Sequence, residues 1–135
     1  MNPQETLGIV RAPRAGRVLV VDDEFQVRTF FQNVLKDAGY EVLLAEDGRQ
    51  ALKLVRAQAF DLALVDLVMP NMEGLETIKA MRKELPALKV IAVSGFRGGE
   101  FLRMARYFGA NSTIFKPVDP MKLVSAIGGL LVRAL

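Results

Sequence analysis

Asp61-Leu62-Ala63-Leu64-Val65-Asp66-Leu67-Val68-Met69-Pro70 is the stretch that decides the fold. The residues between the two aspartates are apolar without alternation, as in a central strand covered on both faces. Pro70 has no N–H to give a ladder and marks the turn. The stretch therefore carries one carboxylate, Asp66, to the exit of a buried strand. An ionised group there is costly unless its neighbours compensate it. The side chains at the exits of the other strands are the candidates for that compensation.

Upstream, Arg17-Val18-Leu19-Val20-Val21 is a second apolar strand, followed at once by Asp22-Asp23-Glu24. Val27, Phe30, Phe31, Val34, Leu35 and Ala38 recur at helical spacing, with the acidic run before the positive helix N-terminus and Gly39 as a stop. Val42 to Ala45 is the next strand. Asp47 can cap a helix running to about Gln58, with Ala51, Leu52, Leu54 and Val55 inward. Downstream of Pro70, a helix carries Leu75, Ile78 and Met81 on its apolar side and ends before Pro86. Lys89 to Val93 is a strand that exits into Ser94-Gly95. A helix from about Gly98 to Phe108 stopped by Gly109, a short strand over 111–115 and a final helix from Asp119-Pro120 nearly to Leu135, with Val124, Ile127 and Leu131 on one face, complete the chain.

Five strands alternating with five helices predict an α/β fold. The sheet is expected to be five-stranded, parallel and doubly wound, in the flavodoxin-like order 2-1-3-4-5, with helices on both faces. Residues 1–16 read as a flexible N-terminal tail and 17–135 as one domain.

With 135 residues, 51% of them hydrophobic, the chain can bury a substantial core. It has no cysteine and no histidine, which excludes disulfides, imidazole metal sites and Ser-His triads. No apolar run has the length of a membrane span, and no secretory pattern opens the chain. A cytoplasmic protein is expected. The net charge of +3 comes without a dense basic block, so direct nucleic-acid binding is not expected.

In an open parallel sheet the strand C-termini share one edge, where ligands bind. The residues at the strand exits are Asp22 and Asp23, Asp66, Ser94 and Lys116, with Glu46 and Asp47 at the sheet margin. Two carboxylates about 5 Å apart repel by roughly 3 kcal/mol at an effective dielectric near 20. Three together need cations. Lys116 supplies one charge, and an all-oxygen set suits Mg²⁺ better than Zn²⁺.

The chain resembles the receiver domain of bacterial two-component response regulators, in particular stand-alone, chemotaxis-regulator-like receivers. The resemblance covers about 17–135. It rests on Val-Leu-Val-Val-Asp-Asp-Glu at 18–24, Leu-Val-Asp-Leu-Val-Met-Pro at 64–70 followed by Gly74, Val-Ser-Gly at 93–95 and Phe-Lys-Pro at 115–117. It implies that Asp66 accepts a phosphoryl group from a histidine kinase or a histidine phosphotransfer protein. It implies Mg²⁺ held by Asp23, Asp66 and the backbone carbonyl of Val68, with Asp22 acting largely through a bound water. Ser94 would hydrogen-bond a phosphoryl oxygen. Lys116 would pair with the carboxylate and then with the phosphoryl group, across a cis Lys-Pro peptide. A downstream protein would meet the face formed by the fourth helix, fifth strand and fifth helix, and the domain would be a monomer or a phosphorylation-dependent dimer. Such a domain is a phosphoacceptor rather than an enzyme, apart from slow autodephosphorylation.

One departure stands out. Receivers usually carry Tyr or Phe three residues before the lysine, and here that residue is Thr113. The readout is then expected to involve the helix after Ser94, with Phe101, Leu102, Met104, Tyr107 and Phe108. Thr113 favours an alternative, a phosphorylation-independent adaptor with the same fold. A second alternative is the N-terminal fragment of a longer regulator. An aspartate-nucleophile phosphatase usually carries a second carboxylate two residues after the nucleophile, where this chain has Val68.

Overall fold

The computed structural model describes residues 16–67, 69, 73–95 and 99–132. The expected tail up to residue 15, the Val68 carbonyl, Pro70, the start of the fourth helix at Gly98 and the last three residues lie outside the described residues.

The strands are β1 (Arg17–Val21), β2 (Glu41–Ala45), β3 (Leu62–Asp66), β4 (Lys89–Ser94) and β5 (Ser112–Phe115). The helices are α1 (Phe25–Asp37), α2 (Gly48–Ala57), α3 (Glu73–Glu84), α4 (Gly99–Phe108) and α5 (Pro120–Leu131). All strands pair in parallel, in the order β2-β1-β3-β4-β5. This is the architecture expected from the alternating pattern, and none of the described helices is long and apolar enough to cross a membrane.

The pleat separates the core into two layers. Val21, Ala63, Val65, Val90 and Ala92 face α2, α3 and α4, where Ile78, Met81 and Leu102 pack on them. Val18, Val20, Leu62, Leu64, Ile91 and Val93 face the other way, against Phe31 and Leu35 of α1 and Leu123 and Ile127 of α5. Every residue of β3 is buried, which accounts for its unalternating sequence.

Some helix faces differ from their periodic reading. In α1 only Phe31 and Leu35 are buried, while Phe30 is 40% exposed. In α5 the buried pair is Leu123 and Ile127, and Val124 is only half-buried. The apolar stripe of an α-helix is wider than the line that touches the sheet, so spacing alone does not fix which member turns inward. The acidic run lies just before α1, as read, with Glu24 at the N-cap position and no side-chain cap bond; the Asp22 carboxylate accepts the Glu24 N–H at 2.9 Å. Asp47 does cap α2, accepting the Gln50 N–H at 2.8 Å.

Bonds beyond the strand ends fix the exit loops. Asp22 N–H donates to Ala45 O, Leu67 N–H to Val93 O and Lys116 N–H to Ser94 O, at 3.1, 2.8 and 3.0 Å. Gly74 lets α3 approach the end of β3, because a Cβ there would stand 2.5 Å from Asp66 O and 2.8 Å from Leu67 Cα.

At the opposite end of α3, Arg82 ties three segments together. Its guanidinium donates to Gly109 O at 3.2 and 2.8 Å, to Pro86 O at 2.7 Å and to Asn111 Oδ1 at 2.9 Å. Asn111 Oδ1 also accepts the Val90 N–H. Nearby, Arg56 and Glu84 form a two-pronged pair at 2.8 and 2.6 Å, and the hydrogen bond from Arg56 holds the Glu84 carboxyl below its ordinary range. Arg82→Ala is expected to lower the free energy of unfolding by about 2 kcal/mol, since several charge-assisted bonds to carbonyls are lost from a half-buried site. Urea unfolding checks this, and an unchanged midpoint would show that the network is incidental.

Candidate functional site

Each strand-exit residue arrives at the same sheet edge for a local reason. Asp66 is the last residue of β3 and continues the Leu62 and Leu64 side of the strand, toward α1 and α5. Ser94 ends β4 and is paired in register with Phe115. Lys116 comes directly after Phe115 and so returns to the side that Ile114 and Asp66 share. Gly95 leaves room for the lysine stem, because a Cβ there would lie 3.3 Å from Lys116 Cβ. The Lys116–Pro117 peptide is cis.

Asp22, Asp66 and Ser94 are buried, at 1%, 3% and 0% exposure, whereas Asp23 is exposed. The Lys116 ammonium lies between the two buried acids, 3.3 Å from Asp66 Oδ2 and 3.6 Å from Asp22 Oδ2. Asp22, Asp23 and Asp66 each present a carboxylate oxygen, and the three lie within 4.8 Å of one another. Asp22 Oδ1 is used by the Glu24 N–H, while Asp22 Oδ2 is buried without a hydrogen-bond partner among the described residues. Three carboxylates thus face one ammonium in a partly dry cleft. This arrangement can hold a hard cation and can accept an electrophile at the Asp66 oxygen.

Of the strand-exit residues read from the sequence, Asp22, Asp23, Asp66, Ser94 and Lys116 come to one edge. Glu46 and Asp47 do not join them. Asp47 is spent on the α2 cap, and the Glu46 N–H is bound by Gln50 Oε1 at 2.7 Å. One neighbour of the site had no signal in the sequence. Arg28, a turn into α1, donates from Nη1 to the Asp22 backbone carbonyl at 2.7 Å. Its partner is a main-chain atom, so no pattern of side chains announces the contact.

Residues 18–128 match the family described as the response regulator receiver domain. The chain is 38% identical over 114 residues to the CAI-1 autoinducer sensor kinase/phosphatase CqsS of Vibrio cholerae, an alignment over 82% of this chain and 17% of that protein. It is 40% identical over 102 residues to the transcriptional regulatory protein ZraR of Escherichia coli K12, covering 76% of this chain and 23% of that protein. The chain thus spans less than a quarter of either relative. Among solved structures, it superposes on a CheY-like receiver domain protein from Methanospirillum hungatei JF-1 with a TM-score of 0.80 and 34% identity, over 85% of this chain and 92% of that one. For the chemotaxis protein CheY4 of Vibrio cholerae the TM-score is 0.79 at 32% identity, over 84% and 97% of the two chains. With its strand order, its strand-exit residues and a match over most of its length, the chain belongs to the response regulator receiver domain family.

Proposed function

We propose that the domain accepts a phosphoryl group on Asp66 from the phosphohistidine of a histidine kinase or phosphotransfer protein, with Mg²⁺ bound, and that the product switches its contacts with other proteins. The observation that carries this reading is the buried Asp66 carboxylate, with the Lys116 ammonium 3.3 Å away and two further carboxylates beside it.

The donor set fits Mg²⁺. It is all oxygen, it carries an excess of negative charge, and it includes a buried carboxylate oxygen without a hydrogen-bond partner among the described residues. Asp22, Asp23 and Asp66 would hold the ion, with the Val68 carbonyl as the further ligand implied by the family. When bound, Mg²⁺ supplies neutralisation of phosphoryl oxygen charge.

In the transfer, an Asp66 carboxylate oxygen attacks phosphorus and the P–N bond to the donor imidazole breaks. The imidazole leaves with the bonding pair and takes up a proton, and Asp66 becomes an acyl phosphate. Lys116 orients the carboxylate before transfer and pairs with the phosphoryl oxygens afterwards. The new group carries a charge of about −1.5 to −2. Ser94 donates its hydroxyl to one of those oxygens and draws its loop inward. The chemistry is one stoichiometric transfer followed by slow hydrolysis, so the domain acts as a switch rather than a turnover enzyme.

The downstream partner is assigned to the face of α4, β5 and α5. Tyr107 on α4 is 85% exposed, Phe115 on β5 is 55% exposed, and Thr113 occupies the position where receivers usually carry an aromatic residue. Phe115 shares its side of β5 with Thr113, which keeps an aromatic group beside the Ser94 strand.

Incubation with acetyl phosphate and Mg²⁺ is expected to add one phosphoryl group by intact mass, with no gain in Asp66→Asn. A gain that persists in the variant would remove Asp66 as the acceptor, and a gain that needs no divalent cation would remove the role of Mg²⁺. Lys116→Ala is expected to label about tenfold more slowly, the equivalent of a weak charge-assisted bond. It should also lose the change in amide exchange across 94–116 that phosphorylation produces in the parent. A full exchange response in that variant would exclude Lys116 as the clamp.

A further inference from the structure

We propose that Arg28 is a positioning residue for the acidic cluster, setting Mg²⁺ affinity through the Asp22 backbone carbonyl rather than through its charge; the inference rests on the Mg²⁺ reading above.

Asp22 is tied at three of its polar atoms. Its N–H donates to Ala45 O at 3.1 Å, its Oδ1 accepts the Glu24 N–H at 2.9 Å, and its carbonyl accepts Arg28 Nη1 at 2.7 Å. The first two bonds fix Asp22 itself. The third restrains the plane of the peptide that joins Asp22 to Asp23, because turning that planar unit would break the bond to its oxygen. Asp23 begins from that plane. It is the exposed member of the cluster, so little packing holds its side chain. Arg28 is itself anchored. Its backbone N–H closes the first turn of α1 on Glu24 O at 3.0 Å, and its guanidinium lies 5.9 Å from the centre of the Phe25 ring. The Asp23–Glu24 peptide on the other side is held by its own N–H bond to Asp22 Oδ1, so the guanidinium links the helix to the remaining peptide whose rotation would carry Asp23 away from Asp22 and Asp66.

Charge and position make opposite predictions. As a mere positive charge beside the acids, Arg28 would repel a cation, and its removal would tighten Mg²⁺ binding. As a positioning group, its removal weakens binding, since outer groups that orient metal ligands typically change affinity about 10–100-fold.

Calorimetric titration of Mg²⁺ into the parent, Arg28→Ala, Arg28→Met and Arg28→Lys separates the two. Arg28→Met keeps a long stem against Phe25 without donors, so it serves should Arg28→Ala fold poorly. The expected result is a dissociation constant about tenfold higher in the Ala and Met variants, partly recovered in Arg28→Lys. The Mg²⁺ concentration for half-maximal phosphorylation by acetyl phosphate should rise in step, with the rate at saturating Mg²⁺ near that of the parent. Equal or tighter binding in Arg28→Met would overturn the positioning role. Absence of Mg²⁺ binding to the parent would instead remove the reading on which it rests, and the inference with it.

Discussion

The crowding of the Asp22, Asp23 and Asp66 carboxylates, with the Lys116 ammonium set between Asp66 and Asp22, is the constraint on which the chemistry of the sheet edge depends. Two buried carboxylates and a third close by would repel one another by several kcal/mol at an effective dielectric near 20. A single lysine offsets part of that. It reaches the site only because β5 returns its side chain to the Asp66 side and Gly95 leaves room for the stem. The fold thus maintains an excess of negative charge at a place where its own packing would favour apolar groups. In the proposed function that excess draws in a divalent cation and then answers to a phosphoryl group.

Most of the architecture was legible because β3 is buried on both faces and says so in its composition. An apolar run that ends in an aspartate and a proline has few structural readings, and alternation with amphipathic helices leaves few topologies. The strand ends then gave the members of the cleft in chain order. What spacing did not reveal was finer. Phe30 shares the periodicity of α1 but is partly exposed, while Leu123 is buried in place of Val124. These outcomes depend on how each helix is rolled against the sheet, which adjacent apolar residues do not determine.

Contacts to main-chain atoms were also invisible. Arg82 holds the Gly109 and Pro86 carbonyls, and Arg28 holds that of Asp22. These acceptors are main-chain oxygens, and no spacing of side chains announces them, although Arg82 also meets the Asn111 side chain. The glycines were only half legible. Gly39 and Gly109 have positive φ and end helices, as their places in the pattern suggest. The need for Gly74 comes from the approach of α3 to the Asp66 carbonyl, a tertiary fact.

Asp66 stands among two further acids, and their mutual repulsion is predicted to cost the fold stability. Urea unfolding of the parent and of Asp66→Asn, both without divalent cation, tests it most directly. Removing one of three negative charges while leaving the shape of the side chain almost unchanged should relieve repulsion. Asp66→Asn is therefore predicted to unfold at the same or a higher urea concentration than the parent. A large drop in the midpoint would contradict the claim, because Asp66 would then be a structural partner of Lys116 rather than an acid kept for its chemistry.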